Sequence, residues 1–232
     1  MPRHIGTSNG QRKREEAEAP HHPCPHRRHG SLHIYLSLIP PEETLLFYET
    51  YSLFPERLFD GVYIDTLLTH VFLHGNWVHL IVNCVSLLGA GVIVETDIGH
   101  LKFLGAFISS GMIAGLSHSL LNPPSSVPII GASGAIFGVI AVLFLLMPFK
   151  ITYALVIPLP SVAVGLMLSI VELYSLYTPT DPMIAHDAHI AGFAFGCIYA
   201  FTVDKKRALK GLVVALIVLG VMYYLGVAYG VI

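Results

Sequence analysis

The chain has 232 residues, of which 54% are hydrophobic and only 12% charged, against roughly 25% charged in an average soluble domain. Such a composition excludes an ordinary water-soluble globule and points to lipid as the solvent. Net charge is −2 and no long basic stripe lies outside the first 30 residues, so a nucleic-acid face is excluded as well.

Residues 1–30 carry Arg3, Arg12, Lys13, Arg14, Arg27 and Arg28 together with five histidines and several prolines. They lack the apolar core of a secretory signal, and the composition predicts a disordered, basic and His-rich tail. The next stretch, 31–48, is apolar at Leu32–Ile39 and Leu45–Tyr48 but is interrupted by Pro40, Pro41, Glu42 and Glu43. From Trp77 onward the windows Trp77–Val94, Leu101–Leu121, Ala132–Met147, Tyr153–Leu173, Ile184–Val203 and Ala208–Tyr229 each suit a membrane crossing. Lipid offers no partner to a free backbone N–H or C=O, so these windows are expected to be helices. Pro158 and Pro160 should kink the fourth.

Lys and Arg collect in the cytoplasmic loops of membrane proteins. If 31–48 also crosses, seven helices place twelve of the 13 basic residues on one side and Arg57 alone on the other. Without that crossing the tally is six against seven. The first arrangement is preferred: a short or irregular first crossing, a cytoplasmic N-terminus and an external C-terminus. Cys24, Cys84 and Cys197 are too few and too scattered for a disulfide framework.

With that topology the helices beginning at Trp77, Ala132 and Ile184 enter from the external side, and each carries its polar residues in its first turns. His79 and Asn83 lie on the first, Ser133 opens the second, and His189 lies on the third. Ionisable groups in a span are costly and are functional candidates by default. Ser133 falls at a helix N-terminus, where free N–H groups and the helix dipole can hold an oxyanion. Gly131 and Gly134 leave room beside it. Gly134 with Gly138, and Gly192 with Gly196, form two small-residue faces that can bring Ser133 and His189 together. A serine hydroxyl needs a neighbouring base to act as a nucleophile, and histidine titrates near neutrality. His79 and Asn83, four residues apart, share a helix face and could donate to a developing oxyanion.

Each feature has a plainer reading. Gly-x-Ser-Gly in an apolar span is commonly a packing motif, a single His189 could be an interior hydrogen-bonding residue, and Asn83 could join helices. His70, His74, His79, His186 and His189 also raise a metal reading, as in a histidine-lined transporter. No His-Glu-x-x-His is present, however, and the nearby acids Asp65 and Asp187 have no ligand-like spacing. The joint pattern on three helices at one depth favours catalysis.

These residues resemble the motifs of the rhomboid family of intramembrane serine proteases. His74-Gly75-Asn76-Trp77-Val78-His79-Leu80-Ile81-Val82-Asn83 resembles the family's His-x₄-His-Leu-x-x-Asn signature. Gly131-Ala132-Ser133-Gly134 resembles its nucleophile motif, and Ala188-His189-Ile190-Ala191-Gly192 with Gly196 its base motif. The resemblance spans about residues 55–205. It implies an all-α polytopic membrane protein: a rhomboid-like bundle with a six-helix core over 31–205, its first helix short or irregular, and an additional C-terminal transmembrane helix over 206–232. It implies Ser133 as nucleophile, His189 rather than His186 as general base, and an oxyanion hole from His79, Asn83 and the Ser133 N–H. Phe137 would lie under the His189 ring, and the region of Glu95 would brace the first loop and its neighbouring helices. The implied substrates are transmembrane segments of other membrane proteins, with no metal and no organic cofactor. Asp65-Thr66 stands where the family commonly has Trp-Arg. The alternative from a different class is a catalytically silent, rhomboid-like protein that binds or escorts membrane clients.

Overall fold

The computed structural model describes residues 32–61, 63–123, 125–154, 157–178 and 184–230. The predicted 1–30 tail lies outside them. Four short helices come first: α1 (Leu32–Leu36), α2 (Pro41–Tyr51), α3 (Pro55–Phe59) and α4 (Thr66–Thr69), the last running into a 3-10 turn at His70–Phe72. Six longer ones follow: α5 (Trp77–Ile98), α6 (His100–Leu121), α7 (Ser133–Leu146), α8 (Ser161–Tyr177), α9 (His186–Val203) and α10 (Lys205–Ala228). Between α7 and α8 a two-stranded antiparallel hairpin pairs β1 (Ile151–Ala154) with β2 (Ile157–Pro160), Ile151 opposite Pro160.

Contacts at the helix ends give the directions. The start of α7 meets the start of α9 through Ser133 and His189, so those two run parallel. The end of α6 meets the start of α9 through His118 and Asp187, while Tyr199 near the end of α9 donates to the Lys102 carbonyl at the start of α6. At the far end Arg207 of α10 bonds both Asp97 of α5 and the Leu146 carbonyl that closes α7. The result is a polytopic helical bundle in which α5, α6 and α10 are long and apolar enough to cross a membrane. Helix α7 is shorter, with 14 residues, about 21 Å at 1.5 Å per residue.

Helix α7 is the axis of the molecule. It is apolar throughout, as a helix enclosed on all sides should be, and every residue but Ser133 and Phe137 is buried. Glycines set its distance from α9. A Cβ at Gly192 would fall on the carbonyl of Gly134, and one at Gly196 on the carbonyl of Gly138. Helix α10 closes against the other end, where a Cβ on Gly211 would meet the Leu145 carbonyl. Its remaining faces present Leu209, Val213, Leu216 and Ile217 outward, as lipid requires.

Two expectations are corrected. The first crossing at 31–48 is instead α1, with five residues, and α2, with eleven; the longer measures about 16 Å, half of the roughly 30 Å hydrocarbon core. Pro40 and Pro41 separate them, because proline disfavours helix in the residue before it and is suited to the first turn of a new helix. Both pack at the Ser133 end. His33 rests edge-on to Trp77 at 4.6 Å, Tyr48 donates to the His74 carbonyl, and Thr69 donates to the Tyr51 carbonyl. The fourth crossing is also shifted, from 153–173 to Ser161–Tyr177. Pro158 and Pro160 kink no helix. They lie in β2, an extended edge strand that needs no N–H from proline, and Pro160 is the N-cap of α8.

Candidate active site

The loop ahead of Ser133 is held by the connection between α2 and α5. Leu53 and Ile129 exchange backbone hydrogen bonds at 3.2 and 2.9 Å, and the Gly131 N–H donates to the His70 carbonyl at 2.9 Å. Gly131 adopts φ +120°, a backbone that side chains rarely tolerate. His70 is wedged against α6 where a Cβ on Gly115 would strike its ring, and its Nδ1 donates to the Thr66 carbonyl at 2.8 Å. Ser133 therefore sits on an anchored turn. Ala132 caps α7 without a side-chain hydrogen bond, which leaves the first N–H groups of the helix beside the Ser133 hydroxyl.

His189 Nε2 lies 2.7 Å from Ser133 Oγ, within the range for a nucleophile and its base. One turn into α7, the Phe137 ring stacks under the imidazole, with centroids 4.5 Å apart and planes 9° from parallel. At the other ring nitrogen, His189 Nδ1 is 3.1 Å from Glu172 Oε1. The second oxygen of Glu172 is 2.6 Å from His186 Nδ1. Glu172 comes from α8 and is 7% exposed. A neighbouring network ties α9 to α6: Asp187 takes hydrogen bonds from His118 at 2.8 Å and from the Asn122 amide at 2.7 Å.

Several of the residues singled out from sequence surround one point: Ser133, His189, Phe137, Gly131, Gly134, Gly192 and His79. His79 lies against Gly131, where an added Cβ would be 2.7 Å from its Nε2. Asn76 caps α5 by accepting the His79 N–H at 2.8 Å. Asn83, 6% exposed, turns its amide to the His79 carbonyl of its own helix at 2.9 Å. Gly196 acts one turn below, at the α7–α9 contact. Glu95 stands apart, near the end of α5, where it pairs with His100 at the start of α6; it joins those two helices rather than bracing the 53–76 connection.

Glu172 was not singled out from sequence. In the sequence it falls near the end of the 153–173 window, within an apolar helix. The rule that flagged His189, an ionisable residue inside a span, applies to it equally. Ligand-type atoms of Glu172, His186 and His189 lie within 4.8 Å of one another, so these three could hold a cation. Their contacts of 2.6 and 3.1 Å are also ordinary hydrogen-bond distances.

Comparison with known sequences agrees with this arrangement. The Rhomboid domain family profile matches residues 63–206, more than half of the chain. The chain belongs to the rhomboid family. It is 27% identical over 135 residues to RHOMBOID-like protein 5 of Arabidopsis thaliana, covering 58% of this chain and 42% of that one. It is 29% identical over 150 residues to the chloroplastic Rhomboid-like protein 11 of the same plant, covering 59% and 51%. It is 27% identical over 139 residues to Rhomboid-like protease 5 of Toxoplasma gondii, covering 59% and 16%. The match thus spans about half or less of each of these rhomboids. In this rhomboid, the profile takes in the Ser133 turn, the His189 helix and Glu172 together.

Proposed function

We propose that this rhomboid is an intramembrane serine endopeptidase that cleaves transmembrane segments of other membrane proteins. The observation that carries the reading is the 2.7 Å contact between His189 Nε2 and Ser133 Oγ, both half-buried where the first turns of α7 and α9 meet. The bare Nε2 takes the hydroxyl proton as Oγ attacks the scissile carbonyl carbon. The carbonyl π pair moves onto oxygen, and the imidazolium then returns its proton to the leaving amine. Water repeats the sequence on the acyl-enzyme.

The developing oxyanion would be met by the Ser133 N–H, with His79 and Asn83 supplying further donors once a substrate is bound. Removing one such donor from a soluble protease costs about 3–4 kcal/mol in the barrier. Helix α7, at about 21 Å, is shorter than the hydrocarbon core, so Ser133 would lie in a wet recess below the membrane surface. Six of the seven described basic residues, namely Lys102, Lys150, Lys205, Lys206, Arg207 and Lys210, lie at the opposite end of the bundle from Ser133. We take that end as cytoplasmic and the site as external, because the rule counts Lys and Arg close to the span ends, and the six basic residues of 1–30, which the loss of the first crossing would otherwise set against it, lie far in sequence from Trp77, where the first long helix begins. This grouping supports the external site without the first crossing on which the sequence argument relied.

Purified protein should cleave a model single-span substrate without added metal and should be labelled by a fluorophosphonate probe. Ser133→Ala and His189→Ala are each expected to abolish cleavage, and Ser133→Ala to abolish labelling. Cleavage that survives Ser133→Ala would reject the assignment and leave a client-binding rhomboid or another chemistry in its place.

A further inference from the structure

We propose that Glu172 is the positioning residue for the base, so that the site works as a Ser133–His189–Glu172 triad with His186 holding the carboxylate in place. The inference rests on the serine-protease reading above and adds a third group to it. A carboxylate has no proton to give, so the 3.1 Å contact requires the proton to sit on His189 Nδ1. The imidazole is then neutral only with Nε2 bare, and Nε2 is the atom that faces Ser133 Oγ at 2.7 Å. The pairing thus selects the tautomer that can accept a proton.

The surroundings leave the ring little freedom to turn away. Phe137 fixes its plane from below, while Glu172 and Ser133 fix its two nitrogens. The carboxylate is constrained in turn, because its other oxygen takes the 2.6 Å hydrogen bond from His186 Nδ1. With Glu172 7% exposed on the apolar helix α8, an unpaired charge there would be expensive. Two imidazole donors satisfy it. In the reaction Oγ gives its proton to Nε2 while its electron pair forms the bond to the carbonyl carbon. Nδ1 keeps its own proton throughout, and the new imidazolium charge arises beside a carboxylate in a site shielded from water. Glu172 touches no reacting atom; it acts through His189 alone.

The rival occupant of the same three side chains is a divalent cation. Bound to His189 Nδ1, it would leave the remaining ring proton on Nε2 and remove the base. The two states therefore differ in their response to a chelator: activity is unchanged if no cation is held and rises if one is removed.

The test uses full-length protein in liposomes with a fluorogenic single-span substrate, comparing the parent with Glu172→Gln, Glu172→Asp and Ser133→Ala. Glu172→Gln keeps the shape and can still accept one hydrogen bond, but it removes the charge. It is expected to lower kcat by on the order of 10²–10⁴-fold, the upper figure being the loss when the orienting acid of a soluble triad is neutralised. KM should stay within about twofold, since Glu172 does not contact substrate. Glu172→Asp keeps the charge and should recover part of the lost kcat, and EDTA should leave the parent unchanged. A second measurement needs no folded variant at this position. In ¹⁵N-histidine-labelled parent, nuclear magnetic resonance should show His189 protonated at Nδ1 and bare at Nε2.

A Glu172→Gln enzyme within about threefold of the parent kcat overturns the proposal, as does an Nε2–H tautomer or an activity that responds to EDTA. If Ser133→Ala proves as active as the parent, it is the protease reading that fails, which keeps the two outcomes distinct.

Discussion

At the scale of single residues, much of the site depends on histidines held in defined states, and those outside the membrane spans make the point separately from catalysis. His70 is 2% exposed, and burial pushes its pKa down to about 4, from an ordinary value near 6.5. The unfolded chain takes up that proton below about pH 6.5, whereas the folded chain does so only near pH 4. Stability from this group is therefore complete above pH 6.5 and is lost as pH falls toward 4, by roughly 3 kcal/mol across the window. His74, likewise lowered to about 4 by burial, acts in the same direction. Because the His70 carbonyl holds Gly131, loosening this segment should also disturb the Ser133 turn. Thermal unfolding in detergent is expected to show a Tm that falls between about pH 7 and 4.5, with a shallower fall in His70→Gln. Equal slopes for parent and variant would exclude the assignment.

At the scale of elements, the contact of α7 with α9 decides whether Ser133 and His189 meet. Two glycine pairs let the backbones touch, and a methyl group has no room at either. Gly196→Ala would drive Cβ into the Gly138 carbonyl. Neither neighbour is a flexible side chain, so the helices must part. Overpacking of this kind costs about 1–3 kcal/mol, and even 1 Å of added separation at the dyad can cost on the order of 10²-fold in rate. Gly220, on α10, has open space around it. Gly220→Ala should leave cleavage intact and keep or raise Tm, since alanine is favoured over glycine in a helix by up to about 1 kcal/mol. Unfolding and cleavage assays on the two variants should separate sharply; a tolerated Gly196→Ala would show that the close approach is not required.

The same elements show which parts were legible in the sequence. Ser133, Gly134, Gly192 and Gly196 fall in short local patterns, and hydropathy marked the α5, α6 and α10 spans because lipid imposes a uniform demand along each helix. Glu172 was hidden because its partner is 17 residues away on another helix, a pairing set by packing rather than by local spacing. The hairpin was hidden for a different reason. Ile151, Tyr153 and Ile157 are as apolar as a span, and only the extended backbone imposed around Pro158 and Pro160 distinguishes them.

At the scale of the whole molecule, the loss of the first crossing changes the topology without moving the site. The α1–α2 segment packs at the Ser133 end through Trp77, His74 and Thr69, leaving six long helices, α5 to α10, among the described residues. Their order brings the loop after α6 to the Ser133 end and the loop after α7 to the basic end. Val127, 59% exposed, marks the first of these loops, and Phe149, 70% exposed and next to Lys150, marks the second. In a background with Cys24, Cys84 and Cys197 replaced by serine, Val127→Cys and Phe149→Cys report the orientation directly. A membrane-impermeant maleimide applied to intact cells should label Val127→Cys at once and Phe149→Cys only after permeabilisation. The reverse pattern would place Ser133 on the cytoplasmic side, against the attraction of six clustered basic residues to that face. In that case the charge rule would have failed for this bundle, although the 2.7 Å dyad would remain.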